Sequence, residues 1–178
     1  MNPLRPSPQR VGFTLLELLA VLIILSLLIS LVVPSMGKVR ARVDTIVCKN
    51  NLRSIWLGIQ QAVDDNGGFY PNIEPDPENP IYLPEENALS LAETLAPYGV
   101  GERTLRCPAD AGAQDFFSRK GTSYEWRPFV DGEPAASPQI YFRRGVMIPS
   151  PNRLRLIMDY TPVHQGRANR LFADGSVR

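Results

Sequence analysis

The sequence predicts an α+β fold: a long N-terminal helix, apolar in its first half and amphipathic in its second, packed on a small antiparallel sheet in a loop-rich C-terminal domain. Three observations predict it. From Leu18 to Gly37 there is no charged side chain, and twenty residues at about 1.5 Å each span roughly the 30 Å of a bilayer's hydrocarbon core. Beyond that run, apolar residues recur at three- and four-residue steps as far as Val63. After Thr122, short segments rich in β-branched and aromatic residues are bounded by Gly, Pro or Asn.

The apolar run opens as G-F-T-L-L-E, Gly12 to Glu17. An ionised side chain at the bilayer centre costs about 2.5–3.5 kcal/mol, so Glu17 belongs near the interface or beside a cation. A cut between Gly12 and Phe13 would supply one. The new α-amino group lies four residues before Glu17, on the same helical face. An ordinary secretory signal does not fit, because its apolar region is about 7–15 residues long and ends at a small-residue site. A simple uncleaved anchor fits the length but gives no reason for Glu17.

G-F-T-L-L-E, with Arg5 and Arg10 before it and Pro34 at the end of the apolar run, resembles the leader and helix start of type IV pilins and type II secretion pseudopilins. The resemblance implies that residues 1–12 are a leader removed by a prepilin peptidase and that Phe13 is N-methylated. It also implies that Glu17 pairs with the Phe13 amine of an adjoining subunit during filament assembly. Residues 13–36 are then a transmembrane helix, 37–66 its amphipathic continuation, and 67–178 a periplasmic or extracellular pseudopilin domain.

Charge is informative locally rather than in total. The formal net charge is +1 and would be −1 without the two leader arginines, so no nucleic-acid partner is expected. From Ser54 to Glu102 there is no Lys or Arg, while Asp64, Asp65, Glu74, Asp76, Glu78, Glu85, Glu86, Glu93 and Glu102 are acidic; after Arg103 basic residues predominate. The split serves either complementarity between subunits or neutralisation within one domain. Lys38, Arg40 and Arg42 follow the apolar run against two arginines before it, so charge does not fix the membrane orientation; the leader resemblance does.

After Pro34, which is expected to kink or loosen the helix, Val39, Val43, Ile46 and Val47, then Leu52, Ile55, Trp56, Ile59 and Val63, form one core-facing stripe. Asn66-Gly67-Gly68 stops a helix that runs from Phe13 to about Asp65. From Phe69 to Pro84 prolines forbid regular helix. That loop is acidic, and Asp76 and Glu78 would be its calcium ligands, although no calcium motif is present and a solvated loop is the simpler reading. Otherwise no cofactor is expected. Pro84-Glu85-Glu86 is read as opening a second helix with Ala88, Leu91, Ala92 and Leu95 on its apolar face. Strands are expected within Thr122–Val130, Gln139–Arg143, Leu154–Tyr160 and the N-R-L-F-A segment from Asn169.

Cys48 and Cys107 have no metal-ligand spacing; in an exported domain they form either a disulfide or two buried thiols. C-K-N-N-L-R-S-I at Cys48, N-G-G-F-Y-P at Asn66 and the terminal H-Q-G-R-A-N-R-L-F-A-D-G are similar to the processing-associated pseudopilin branch with a C-terminal H-x9-D-G signature, here His164, Asp174 and Gly175. Asp174-Gly175 is a strong turn signal. His164 is read as hydrogen-bonding a loop, to Asp174 or a backbone carbonyl. A catalytic reading would make it a base oriented by Asp174 or Asp159, but there is no nucleophile motif and no second histidine for a metal. Only Ser176 to Arg178 remain as a returning arm, which makes a short hairpin.

The whole implies a non-enzymatic, single-pass subunit of the bacterial inner membrane. Its implied partners are the prepilin peptidase, identical or related pseudopilins, an inner-membrane assembly platform, and lipid before assembly. The alternative is a minor pilin whose domain binds polysaccharide, DNA or an exported substrate, with Tyr141, Phe142, Arg143 and Arg144 as a candidate surface, although aromatic strand residues more often belong to a core.

Overall fold

Helix α1, Leu15–Asp65, begins where its sequence supplies a cap. The Thr14 hydroxyl accepts from the Glu17 amide at 3.2 Å, and Glu17 Oε2 accepts from the Thr14 amide and hydroxyl, both at 2.9 Å. This reciprocal capping box satisfies two of the donors a helix start leaves open. The computed structural model describes residues 13–74, 89–110, 115–142, 145–164 and 166–178. The leader with Gly12, the proposed calcium ligands Asp76 and Glu78, the segment Pro84–Ala88, and Arg143 and Arg144 lie outside the described residues.

The chain divides into two units, Met1–Arg40 and Ala41–Arg178. In the first, α1 is broken between Leu31 and Met36, next to Pro34, where the missing backbone donor makes a break cheapest. The kink or loosening expected at Pro34 falls within this stretch. Among the described residues no single helix is long and apolar enough to cross a membrane; Leu15–Leu31 together with Met36–Asp65 qualifies by length and composition only. The large apolar side chains described from Phe13 to Leu31 are exposed. Ser26 and Ser30 donate back to the carbonyls of Ile23 and Leu27, each at 2.8 Å, so their hydroxyls need no outside acceptor.

The second unit has its own core. The helical residues Cys48, Leu52, Ile55, Ile59, Ala62 and Val63 are buried with Leu91, Leu95, Val100, Leu105, Tyr124, Trp126, Leu156, Ile157 and Leu171. Gly58 permits the approach: a Cβ there would stand 2.7 Å from Val100 Cγ2. The core begins at Cys48, about two and a half turns after the start of the sequence stripe at Val39. Val39, Val43 and Ile46 are exposed and Val47 is marginally so; no part of their own unit covers them.

Helix α2 is Leu91–Leu95; Pro84–Ala88 of the expected second helix lie outside the described residues, and Leu89 and Ser90 are not helical. Ser90 and Glu93 form a second capping box, and Leu89 instead bridges Ile73 in parallel. A 3-10 turn, Ala96–Tyr98, ends at Gly99 with φ 78°. Short helices α3, Glu102–Leu105, and α4, Phe116–Lys120, follow. The Asp110 carboxylate, buried, accepts from the amides of Phe116 and Phe117 at the start of α4.

Strands β1, Tyr124–Trp126, β4, Arg155–Asp159, and β5, Arg170–Phe172, form an antiparallel sheet in the order β1-β4-β5; β2, Ile140–Phe142, and β3, Gly145–Met147, form a separate hairpin. The α+β class therefore stands. Strand β3 was not foreseen, and the Thr122–Val130 segment is shorter as a strand because Pro128 begins a 3-10 turn. A register shift between Arg155 and Ile157 lets Leu156 and Ile157 both be buried. Tyr141 is exposed, contrary to the core reading of its strand.

Candidate functional site: the disulfide, His164 and the C-terminal turn

The site is assembled on one stretch of α1. Thr45 and Cys48 share a face at three-residue spacing, and Asn51 follows one turn on. Asn51 Nδ2 donates to the Arg106 carbonyl at 3.0 Å, which holds the loop after α3 against the helix. In that loop the Cys107 amide donates to Ser123 Oγ at 3.0 Å, and the Ser123 amide donates to Leu105 O at 2.9 Å. Cys107 is thus placed opposite Cys48, and the two are joined in a disulfide, with Cα atoms 5.2 Å apart.

His164 lies against this bridge, in a tight turn where its amide and carbonyl exchange hydrogen bonds with Arg167. Nδ1 is 3.2 Å from Thr45 Oγ1, and Nε2 is 3.3 Å from Cys107 Sγ and 3.4 Å from Asp159 Oδ2. With the Thr45 hydroxyl donating its one proton to Ala41 O at 2.8 Å, the tautomer that suits the 3.2 Å contact carries its proton on His164 Nδ1. Nε2 then presents a lone pair to the sulfur and the carboxyl. Asp159 Oδ2 accepts from the Asn169 amide at 2.6 Å, while Oδ1 is buried with no hydrogen-bond partner among the described residues.

Electrostatics follow from burial. Burial, with a smaller push from the nearby Asp110 charge, raises the Asp159 carboxyl to about 6 against the opposing hydrogen bonds from Asn169. Burial lowers the His164 imidazole, helped by Lys49 and opposed by Asp44. The pair is therefore a neutral imidazole beside a reluctant carboxylate, rather than an ion pair. A protonated Asp159 donates naturally to the bare Nε2.

The sign for stability differs between the two groups. Asp159, raised in the fold, stabilises most below its unfolded value of 3.8; that contribution is lost as pH rises to about 6. His164, lowered, contributes fully above its unfolded value of 6.5 and less as pH falls. Asp159→Asn keeps an oxygen that accepts from the Asn169 amide and removes the buried charge. Above pH 6 this variant is expected to match or exceed the parent, on the order of 3 kcal/mol at most, with the advantage shrinking toward pH 4. Thermal melts from pH 4 to 8 check this; a pH-independent difference would contradict it.

Asp174 and Gly175 sit elsewhere. Asp174 Oδ1 accepts from the Ser176 amide at 2.9 Å and hydroxyl at 2.6 Å, so the expected His164–Asp174 hydrogen bond is replaced by Thr45, Cys107 and Asp159. These Ser176 bonds hold the Asp174 carboxyl below the usual carboxylate range. Phe172 and Ser176 close a three-residue turn with Gly175 at φ 78°. A Cβ on Gly175 would press into the Trp56 ring at 3.0 Å, and Trp56 Nε1 donates to Ala173 O at 3.2 Å. The brief returning arm pairs with β5 through reciprocal Arg170–Arg178 bonds. The two ends of the H-x9-D-G segment thus rest on α1 at Thr45 and Trp56, about 16 Å apart along the axis.

No family model, characterised protein or solved structure matches the chain. The chemistry of the cluster is accordingly read from its geometry. The sulfurs of Cys48 and Cys107 and a nitrogen of His164 lie within 4.8 Å of one another, a donor set suited to a soft or borderline metal, but while the bridge is closed neither sulfur is a thiolate ligand. Both nitrogens of His164 are engaged, and the neighbouring hydroxyl, Thr45, is committed to Ala41. The arrangement holds the C-terminal hairpin and the Cys107 loop on the helix. Sequence reasoning assigned no role to Thr45, which lies in no motif, or to Asn51 and Asn169, which lie within the C-K-N-N-L-R-S-I and H-x9-D-G segments, and took Trp56 for core without seeing the Gly175 contact.

Proposed function

We propose that the chain is a pseudopilin-like structural subunit of a type II secretion or type IV pilus-like filament. The observation that carries this reading is the G-F-T-L-L-E start of α1 followed by apolar side chains, from Phe13 through Ile46, that are exposed. Such a surface must meet lipid before assembly and neighbouring helices after it, because exposure to water opposes every step between. Thr14 already holds Glu17 at the helix start, where cleavage after Gly12 would release an amine. In this reading a prepilin peptidase removes residues 1–12, Phe13 is N-methylated, and Glu17 pairs with the amine of an adjoining subunit. The unit Ala41–Arg178 is the periplasmic or extracellular domain, stiffened by the disulfide and by the H-x9-D-G segment, and it performs no catalysis.

A minor subunit at a filament tip is the second reading. It is favoured by the β2–β3 hairpin, where Tyr141, Val146, Met147 and the following Ile148 are all exposed, a surface suited to holding another molecule. Stoichiometry separates the two, since a tip subunit is scarce and a shaft subunit abundant. The class itself is tested at the N-terminus of the native chain, which is expected to begin at methylated Phe13.

A further inference from the structure

The unit Ala41–Arg178 is electrically polar along its helix. Near the start of its helical segment is a groove of about 1190 Å³ whose lining includes Arg42, Lys49, Arg167, Arg170 and Arg178, and none of the described lining residues is acidic. At the other end of the same segment, Asp64 and Asp65 close α1, about 35 Å away at ~1.5 Å per residue. A second groove there, about 620 Å³, is lined by Asp65 and Tyr98 among others and by no Lys or Arg. Exposed Glu74 and fully exposed Glu93 add to that end.

We propose that the basic groove receives the Asp64–Asp65 end of a second copy of this chain, in a head-to-tail contact that sets the axial step between subunits. This rests on the filament reading above and specifies its registry. The argument is complementarity within one molecule. A surface carrying five cations and a surface carrying several carboxylates on opposite ends of one rigid segment cannot meet within a single copy, yet each fits the other on a neighbour. Such a heterologous contact does not close on itself and propagates as an open array. Opposed charges also fix register and penalise unshifted parallel pairing, which would place like charges together. Arg178 is drawn partly toward Asp174 and stacks on Phe172, 4.7 Å from the ring centroid; Arg167 and Arg170 are exposed at the groove.

The test is a charge swap in the full-length chain, read as the amount incorporated into sheared filaments. Arg167→Glu/Arg170→Glu alone, or Asp64→Arg/Asp65→Arg alone, is expected to reduce incorporation at least about tenfold and to leave membrane levels unchanged. Both pairs reversed in one chain restore the contact with inverted sign, so incorporation is expected within about threefold of the parent. Normal incorporation of either single reversal overturns the proposal and leaves the filament reading intact. If the parent chain itself forms no filament, the earlier reading fails instead. Failure of the combined reversal, together with loss of binding to phosphatidylglycerol vesicles by the groove variant alone, overturns it in favour of an anionic lipid surface.

Discussion

Glu17→Val is expected to leave the chain inserted in the membrane at normal levels and to remove it from filaments. In the unassembled chain Glu17 is held by the Thr14 amide and hydroxyl, which a cut after Gly12 leaves in place. Replacing Glu17 therefore leaves the Thr14 hydroxyl capping the amide of residue 17 and removes only the return bonds from Thr14. Assembly is different. The ammonium of Phe13, packed among neighbouring helices, would lose its only designated counter-charge, and breaking a buried pair from one side costs roughly 3–5 kcal/mol. That is at least about a hundredfold in the assembly equilibrium. Incorporation of Glu17→Val at parental levels, measured against membrane-bound protein in the same cells, would contradict the role assigned to the carboxylate.

Replacing both cysteines, Cys48→Ser with Cys107→Ser, is expected to be the most destabilising change in the unit Ala41–Arg178. The bridge spans a sequence separation of 59 residues. Closing a loop of that length restricts the unfolded chain by about 4 kcal/mol in the chain-entropy account. The double variant leaves no lone thiol to form intermolecular bridges. Its melting temperature is expected to fall by roughly 10–20 °C, and the parent protein treated with a dithiol reductant is expected to melt with the variant. A change below about 1 kcal/mol would mean that the Asn51 and Ser123 hydrogen bonds already hold the Cys107 loop and that the sulfur bridge adds little.

How much of this was legible depends on the range of the forces involved. Local signals reported well: the length of α1 follows from the apolar run, the three- and four-residue stripe and the Asn66-Gly67-Gly68 stop, and the Asp174-Gly175 turn follows from backbone preferences. The break next to Pro34 follows from a missing donor. What failed depended on partners distant in sequence. Val43 and Ile46 lie on the same periodic stripe as Ile55, and nothing local says that the core ends at Cys48. The start of α2 at Leu91 follows from a local signal that Pro84 overshadows, the reciprocal cap of Ser90 with Glu93. Strand β3 is too short and too weakly patterned to stand out without its partner β2. His164 is expected from sequence to bond Asp174 or a backbone carbonyl, and its ring instead faces Thr45, Cys107 and Asp159. Its partners Thr45 and Cys107 lie 119 and 57 residues away, and neither separation leaves a mark in the sequence.

The chemistry of the H-x9-D-G segment follows from the same distinction. Read along the chain, His164 and Asp174 look like a pair. In space each faces a different partner, and the shared element is α1 beneath them. His164 rests on Thr45 and the sulfur bridge, and Gly175 lies flat on Trp56. A segment of this kind ties the last strand of the sheet to the helix that enters from the apolar run, which suits a domain borne on a filament more than a site that must open to a substrate.

The central claim is that Glu17 sits at the head of an apolar helix because a newly made amine at Phe13 will neutralise it. The most direct measurement is the intact mass and N-terminal peptide of the protein isolated from its own host. The account predicts a chain that starts at Phe13 and bears one additional methyl group on its α-nitrogen. A mature chain that still begins at Met1 would leave Glu17 without its counter-charge and would contradict the filament function.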